Sequence, residues 1–315
     1  MTRALERLLR LQRGDLPRGL LLFAHLFLVI CAYLVGQVAR DALFLALPPS
    51  RAQAPAASQA PPAPVPEAAA AAAKAADPTG AKVWLGHYAE YEEYLKTAAI
   101  QKVGDIPVGV TKPKRAFFEP GGIAGSAALK YLPSGLKGGY WEAYKSEIAA
   151  YKLDRILGLD MVPPTIERRV GSDLGSLQLW VEHCRLLSSV DQTKCPRPMS
   201  WAKQVCRQRT FDNLIANIDR NAGNLLVDQE WNLILIDHSR AFATNTMPFM
   251  KEMTRIDREF YEKLKTLDEE TLTRELKPWV LTGGTIRDLL KRRDKIVARF
   301  DELARQKSEA TVFPF

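Results

Sequence analysis

Leu20 to Ala39 is an unbroken run of twenty residues without Asp, Glu, Lys or Arg, and a stretch dominated by alanine and proline follows from Pro48 to about Gly80. These two segments dictate how the chain can be divided. About twenty apolar residues suffice for a helix to cross the hydrocarbon core of a bilayer, so residues 20–47 are expected to form a transmembrane anchor behind a basic segment, 1–19. A cleaved signal peptide is the alternative, but its apolar core runs to only about 7–15 residues, and no clear small-x-small cleavage site follows directly. A buried core helix would need neighbours, and residues 48–80 offer almost no large apolar side chains. That composition reads as a disordered linker. Residues 81–315 remain, enough for a domain with its own core.

Charge adds a prediction about orientation. Arg3, Arg7, Arg10, Arg13 and Arg18 precede the apolar run, whereas Arg40 behind it is offset by Asp41. The positive-inside rule then keeps the N-terminus inside and puts the C-terminal domain outside a bacterial cytoplasmic membrane that the chain crosses in a single pass. The net charge of +8 comes partly from these arginines and favours anionic headgroups. No separate nucleic-acid motif is present, and Lys291-Arg292-Arg293 reads as a solvated helix face. Cys184, Cys195 and Cys206 lack zinc-type spacing. In an oxidising compartment two of them could pair.

The densest chemistry lies in Phe211–Val227 and the run Leu233-Ile-Leu-Ile-Asp237-His238 that follows. Four residues separate Asp219 from Asn224, and Asp237 ends a short apolar run of strand character. Asp-Arg-Asn-Ala-Gly-Asn alone reads equally well as a polar turn. The same spacing, however, is that of a phosphoryl-transfer loop, in which an Asp takes or orients the hydroxyl proton and an Asn and a later Asp hold a metal. Magnesium prefers hard oxygen ligands and keeps few protein ones, which suits Asn224 and Asp237. Gly223 allows the tight turn between them.

Three upstream features stand in the order such a site requires. Glu119-Pro-Gly-Gly-Ile-Ala-Gly-Ser reads as a glycine-rich turn, with Gly122, Gly125 and Ser126 near a phosphate, and leads into a strand carrying Lys130. A plain glycine-rich hairpin with a surface lysine is the competing reading. Apolar spacing through Tyr144, Ile148, Tyr151 and Ile156 predicts an amphipathic helix ending at Gly158, with Glu147 as a partner for Lys130 and Glu142 as its rival. Leu177 to Glu182 reads as a strand that is either core or, through Trp180, Val181 and Glu182, the segment that holds a base.

From about Phe117 to Phe242 the chain resembles the lipid-kinase-like branch of the protein-kinase fold, and is most similar there to bacterial proteins related to type II phosphatidylinositol 4-kinases, HipA-like kinases and secretory-pathway kinases. The shared marks are Asp219-Arg220-Asn221-x-Gly223-Asn224, Ile236-Asp237, Glu147 and Gly158-Leu-Asp-Met-Val-Pro163. The resemblance implies an α+β, two-lobed protein-kinase-like fold, with a small lobe about 81–182 and a large lobe about 183–315. It also implies ATP and magnesium as cofactors, Lys130 and Glu147 as the phosphate-anchoring pair, Asp219 and Arg220 as the catalytic set, and Asn224 and Asp237 as metal ligands. The chain lacks His-Arg-Asp ahead of the loop and has Asp237-His238-Ser239 where protein kinases show Asp-Phe-Gly. The expected reaction is transfer to a hydroxyl of a protein, lipid or sugar, with an inactive, membrane-tethered binding module as the alternative. Thr244 to Met253 is expected to recognise the acceptor. Helices are expected over 253–267, 269–280 and 286–303, broken at Thr282-Gly283-Gly284.

Overall fold

Short runs in which apolar residues alternate with polar ones recur between Ile100 and Leu179, and in the computed structural model five of them pair into one antiparallel sheet. The structure describes residues 82–106, 113–137, 140–242, 253–280 and 283–315. The expected anchor and linker, and nearly all of 244–253, lie outside the described residues. Among the described residues no helix is long and apolar enough to cross a membrane.

Helix α1 (Tyr88–Thr97) leads into β1 (Ile100–Asp105), β2 (Lys114–Phe118) and β3 (Ser126–Lys130). A two-stranded ribbon, β4 (Gly135–Lys137) and β5 (Tyr140–Glu142), precedes helix α2 (Tyr144–Leu157), and then β6 (Thr165–Val170) and β7 (Asp173–Leu179) complete the sheet in the order β1-β2-β3-β7-β6. Register fixes its two faces. Ala116 pairs with Ala127, which pairs with Leu179, while Leu129 pairs with Leu177. These residues are buried together with Trp84, Tyr91 and Leu95 from the α1 region. Alternation sends Arg115, Ala128 and Lys130 to the opposite face.

Helix α1 is tied on tightly. Arg168 on β6 donates to the carbonyls of Leu95 and Ala98 at 2.7 Å each, satisfying groups that a helix C-terminus leaves open. Glu92 accepts from the Tyr151 hydroxyl of α2 at 2.7 Å. Helix α2 stops where the sequence predicts, because Gly158 adopts φ +59 and closes it. Asp154 then accepts from Met161 N, and the Met161 carbonyl accepts from Leu235 N at 2.9 Å, so the run after α2 is stitched to the second half of the chain.

That second half is mainly helical. Strand β8 (Arg185–Leu186), helix α3 (Pro198–Leu214) and the hairpin β9 (Leu225–Val227) and β10 (Leu233–Leu235) come first. Helices α4 (Arg258–Thr266), α5 (Glu269–Leu276), α6 (Gly283–Gln306) and α7 (Glu309–Val312) follow. Phe211, Leu214, Leu233, Phe260, Leu272, Ile296 and Phe300 share one core.

Several expectations need correction here. Helix α4 begins at Arg258 rather than Met253, because Asp257 caps it by accepting from Phe260 N, with Lys203 and Arg207 holding that carboxylate. Helix α5 ends at Leu276, ahead of Pro278, which cannot extend the hydrogen-bond ladder. Gly283 and Gly284 are not a break but the first turn of α6. The first N–H groups of a helix have no partner within it, so glycine costs little there. Arg292 and Arg293 are not a solvated face: Arg292 is buried and donates to the Leu214 carbonyl, and Arg293 reaches the carbonyl of Leu267. Cys184, Cys195 and Cys206, whose pairing the sequence left open, are free thiols in the structure.

Candidate active site

The strand β3 and the helix α2 converge on one ammonium. Lys130 Nζ donates to Glu147 Oε1 at 2.5 Å and to Asp237 Oδ1 at 2.7 Å. Glu147 is almost wholly buried, with 2% of its side chain exposed. Burial alone would lower the lysine, but the two carboxylates outweigh it and hold its pKa above the ordinary value. Burial would likewise raise Glu147, yet Lys130 and His238 hold it well below the carboxylate range. Lys130 and Glu147 are therefore both charged at neutral pH. Glu142, the rival partner, goes elsewhere: Arg240 binds it through Nε at 2.8 Å and Nη2 at 2.7 Å.

Asp237 sits just past β10 with φ +58, an uncommon conformation for a residue with a side chain. Such outliers persist where surroundings over-determine them. Here Ile236 N donates to the Asn224 carbonyl, His238 N donates to Glu147 Oε2 at 2.9 Å, and Ser239 Oγ donates to Asp237 Oδ1.

The loop Asp219–Asn224 is wound on itself. Asn221 accepts from Gly223 N at 2.8 Å, and the side-chain amides of Asn221 and Asn224 both donate to the Asp219 carbonyl at 3.1 Å. The Asp219 carboxylate is left 42% exposed, touched by Arg240 Nη1 at 3.2 Å. Asn224 and Asp237 present an amide oxygen and a carboxylate from two segments joined by backbone bonds. Hard oxygen donors of that kind fit magnesium, which draws its remaining ligands from phosphate and water. Among the described residues no group of three or more acidic, histidine or cysteine side chains could hold a metal without such help.

Arg220 faces inward. It binds Asp212 through Nε and Nη2, the carbonyls of Asn224 and Ile236 through Nη1 at 2.6 and 2.7 Å, and His238 Nε2 through Nη2 at 2.8 Å. Its side chain is 8% exposed and committed to these partners, so it braces the loop from inside.

The glycine-rich turn joins β2 to β3. Gly121 needs its φ of +89, and a Cβ on Gly122 would collide with the Tyr94 hydroxyl, so that glycine answers first to α1. Tyr94 also donates to the Ala124 carbonyl at 3.1 Å. Gly125 has open space around it, whereas Ser126 is buried and its hydroxyl accepts from Arg115 Nε at 2.9 Å. The expected base-holding segment leaves the strand at Leu179, and Trp180 N donates to the Ser126 carbonyl. The Arg115 guanidinium lies 4.1 Å over the Trp180 ring and binds Glu182 at 2.6 Å, while Val181 is half-buried beside them.

Sequence reasoning missed Arg115, Asp212, His238, Ser239 and Arg240. Of these, only His238 and Ser239 carried a signal, as neighbours of Asp237.

A search of solved structures returns proteins of this architecture. A Golgi casein kinase superposes with a TM-score of 0.53 at 15% identity, over 72% of this chain and 77% of that one. A second structure of a Golgi casein kinase, with manganese and ADP bound, aligns equally well over 78% of its length. The hydra Fam20 structure with sugar gives 0.55 at 15% identity, over 72% of this chain and 91% of that one. The chain has a protein-kinase-like fold. No family model matches it, and no curated protein matches it in sequence. Within this fold, Lys130 stands on strand β3 and Glu147 on helix α2.

Proposed function

We propose that the chain is a magnesium-dependent kinase that transfers the γ-phosphoryl group of ATP to a hydroxyl of a protein, lipid or sugar. The observation that carries this reading is the Lys130 ammonium shared between Glu147 and Asp237, next to the Asp219–Asn224 loop. A lysine paired only for stability would be expensive in a partly buried site, since desolvation offsets much of its Coulomb gain. Placed at the floor of a phosphate site, the same lysine is a preorganised charge.

Lys130 anchors phosphate oxygens, held at the correct height by Glu147. Asn224 and Asp237 would hold magnesium, which would supply charge neutralisation at the transferring phosphate. Asp219 orients the acceptor hydroxyl and receives its proton, and its exposure leaves room for a large acceptor. Gly125 lets the turn approach the phosphates, while Trp180, Val181 and Glu182 line the base end. Because phosphoryl transfer asks mainly for position and charge, these residues suffice without a covalent step. The N-terminal apolar run anchors the enzyme to a membrane, residues 81–315 form the kinase-like domain, and the chain belongs with the bacterial lipid-kinase-like branch. The arginine asymmetry favours the domain outside the cytoplasmic membrane.

Thermal denaturation of the full chain in detergent, with and without ATP and magnesium, tests the reading. A ligand at a hundred times its Kd stabilises by about 2.7 kcal/mol, so a clear rise in Tm is expected. No shift with both ligands together would favour the inactive binding module. A C-terminal reporter fusion reads the topology.

A further inference from the structure

His238 occupies the position where protein kinases carry the phenylalanine of Asp-Phe-Gly, yet it is fully buried and bonded at both ends of the residue. Its backbone N–H donates to Glu147 Oε2, while Glu147 Oε1 is taken by Lys130. Its ring Nε2 lies 2.8 Å from Arg220 Nη2. A guanidinium has donors only and never loses its proton in a protein. Nε2 must therefore be the acceptor, and the ring hydrogen must sit on Nδ1. That atom has no hydrogen-bond partner among the described residues, with Glu147 Oε2 nearest at 3.6 Å.

The consequence is a continuous chain of contacts. It runs from Lys130 through Glu147 and His238 to Arg220, and Arg220 in turn fixes the carbonyls of Asn224 and Ile236. Those two carbonyls flank both proposed metal ligands. Phe211 packs edge-on against the imidazole at 6.3 Å and Asp212 holds the far side of Arg220, so the ring has little freedom to turn. A phenyl ring would fill the same space but accept nothing, and Arg220 would lose a buried partner.

We propose that His238, as the neutral Nδ1–H tautomer, is a positioning residue that couples the Glu147-bearing helix to the loop carrying Asp219 and Asn224. The proposal rests on the kinase reading for its effect on turnover but not for its structural content. A first measurement uses ¹⁵N-labelled histidine in the full chain in detergent, with the His238 resonance assigned by its loss in His238→Phe. The expected result is the Nδ1–H tautomer, and an Nε2–H tautomer overturns the proposal.

A second measurement follows hydrogen exchange across 218–224 and 236–239. Exchange speeds up in His238→Phe and returns close to the parent rate in His238→Gln, whose amide oxygen can still accept from Arg220. Equal protection in all three chains overturns the coupling. Turnover is the third readout: His238→Phe loses about tenfold in kcat with little change in KM for ATP, and His238→Gln recovers most of it. Loss of kcat in both variants alike means that ring packing, not the Arg220 contact, sets the loop, and overturns the proposal. If the parent chain shows no ATP turnover, the kinase reading fails while the tautomer and exchange results still decide the joint.

Discussion

Asp237 and Asp219 are proposed to act in one reaction, yet they live in different surroundings. Asp237 is locked by Lys130, Ser239 and a left-handed backbone, and its neighbour Glu147 is buried with both oxygens committed. Asp219 has its side chain 42% exposed with one arginine at its side, and Ile218 next to it is 41% exposed. The nucleotide and metal side is thus preorganised by internal pairs, while the acceptor side is left open to a partner. Damage on the first side should cost stability and turnover together. Damage on the second should cost turnover alone.

The largest effect is expected from Lys130→Ala. It strands Glu147 as a buried charge, which costs about 3–5 kcal/mol when one partner of such a pair is removed, read as a large drop in Tm along with loss of phosphoryl transfer. Asp219→Asn should lower kcat by about 10²–10⁴-fold, the usual contribution of a positioned acid or base. Its half-exposed ion pair is worth no more than about 1 kcal/mol, so Tm should hardly move. If Asp219→Asn unfolds the chain as readily as Lys130→Ala does, the contrast between the two sides is wrong.

Gly122→Ala drives a methyl into Tyr94 and should destabilise by about 1–3 kcal/mol. Against Tyr94→Ala alone as the reference, Gly122→Ala should cost much less, and an unchanged cost would mean that Tyr94 is not what excludes the methyl. Acid provides a gentler probe. Glu147 titrates below the ordinary carboxylate range in the folded chain, so its contribution to stability is present above about pH 4.3 and is lost as the pH falls below that range. Glu147→Gln should be less stable at neutral pH and lose less on acidification, measured by Tm against pH. The smallest effect concerns Cys184, whose thiol burial pushes up to about 12. It should label slowly with thiol reagents at pH 8 in the folded chain and rapidly after denaturation.

The elements that the sequence revealed are those whose logic is local. Helix α2 is written in the spacing of Tyr144, Ile148 and Tyr151 and in the glycine at 158. The loop from Asp219 to Asn224 closes on itself within six residues. The glycine-rich turn and the strand bearing Lys130 are equally short-range features. Helix limits were less legible where a cap or a proline decided them, as at Asp257 and Pro278, and the basic run at 291–293 misled because charge alone does not say which side of a helix meets a carbonyl.

What only the tertiary structure decided is which charge meets which. Lys130 meets Asp237 across 107 residues, and Arg240 takes Glu142 across 98, removing the rival for Lys130. Arg220, expected in the catalytic set, is held from inside by Asp212 and His238, partners that the loop's own sequence does not name. The reason is physical: a sequence fixes residue types and local periodicity, but the partner of a buried charge is chosen by register and packing between segments far apart in the chain.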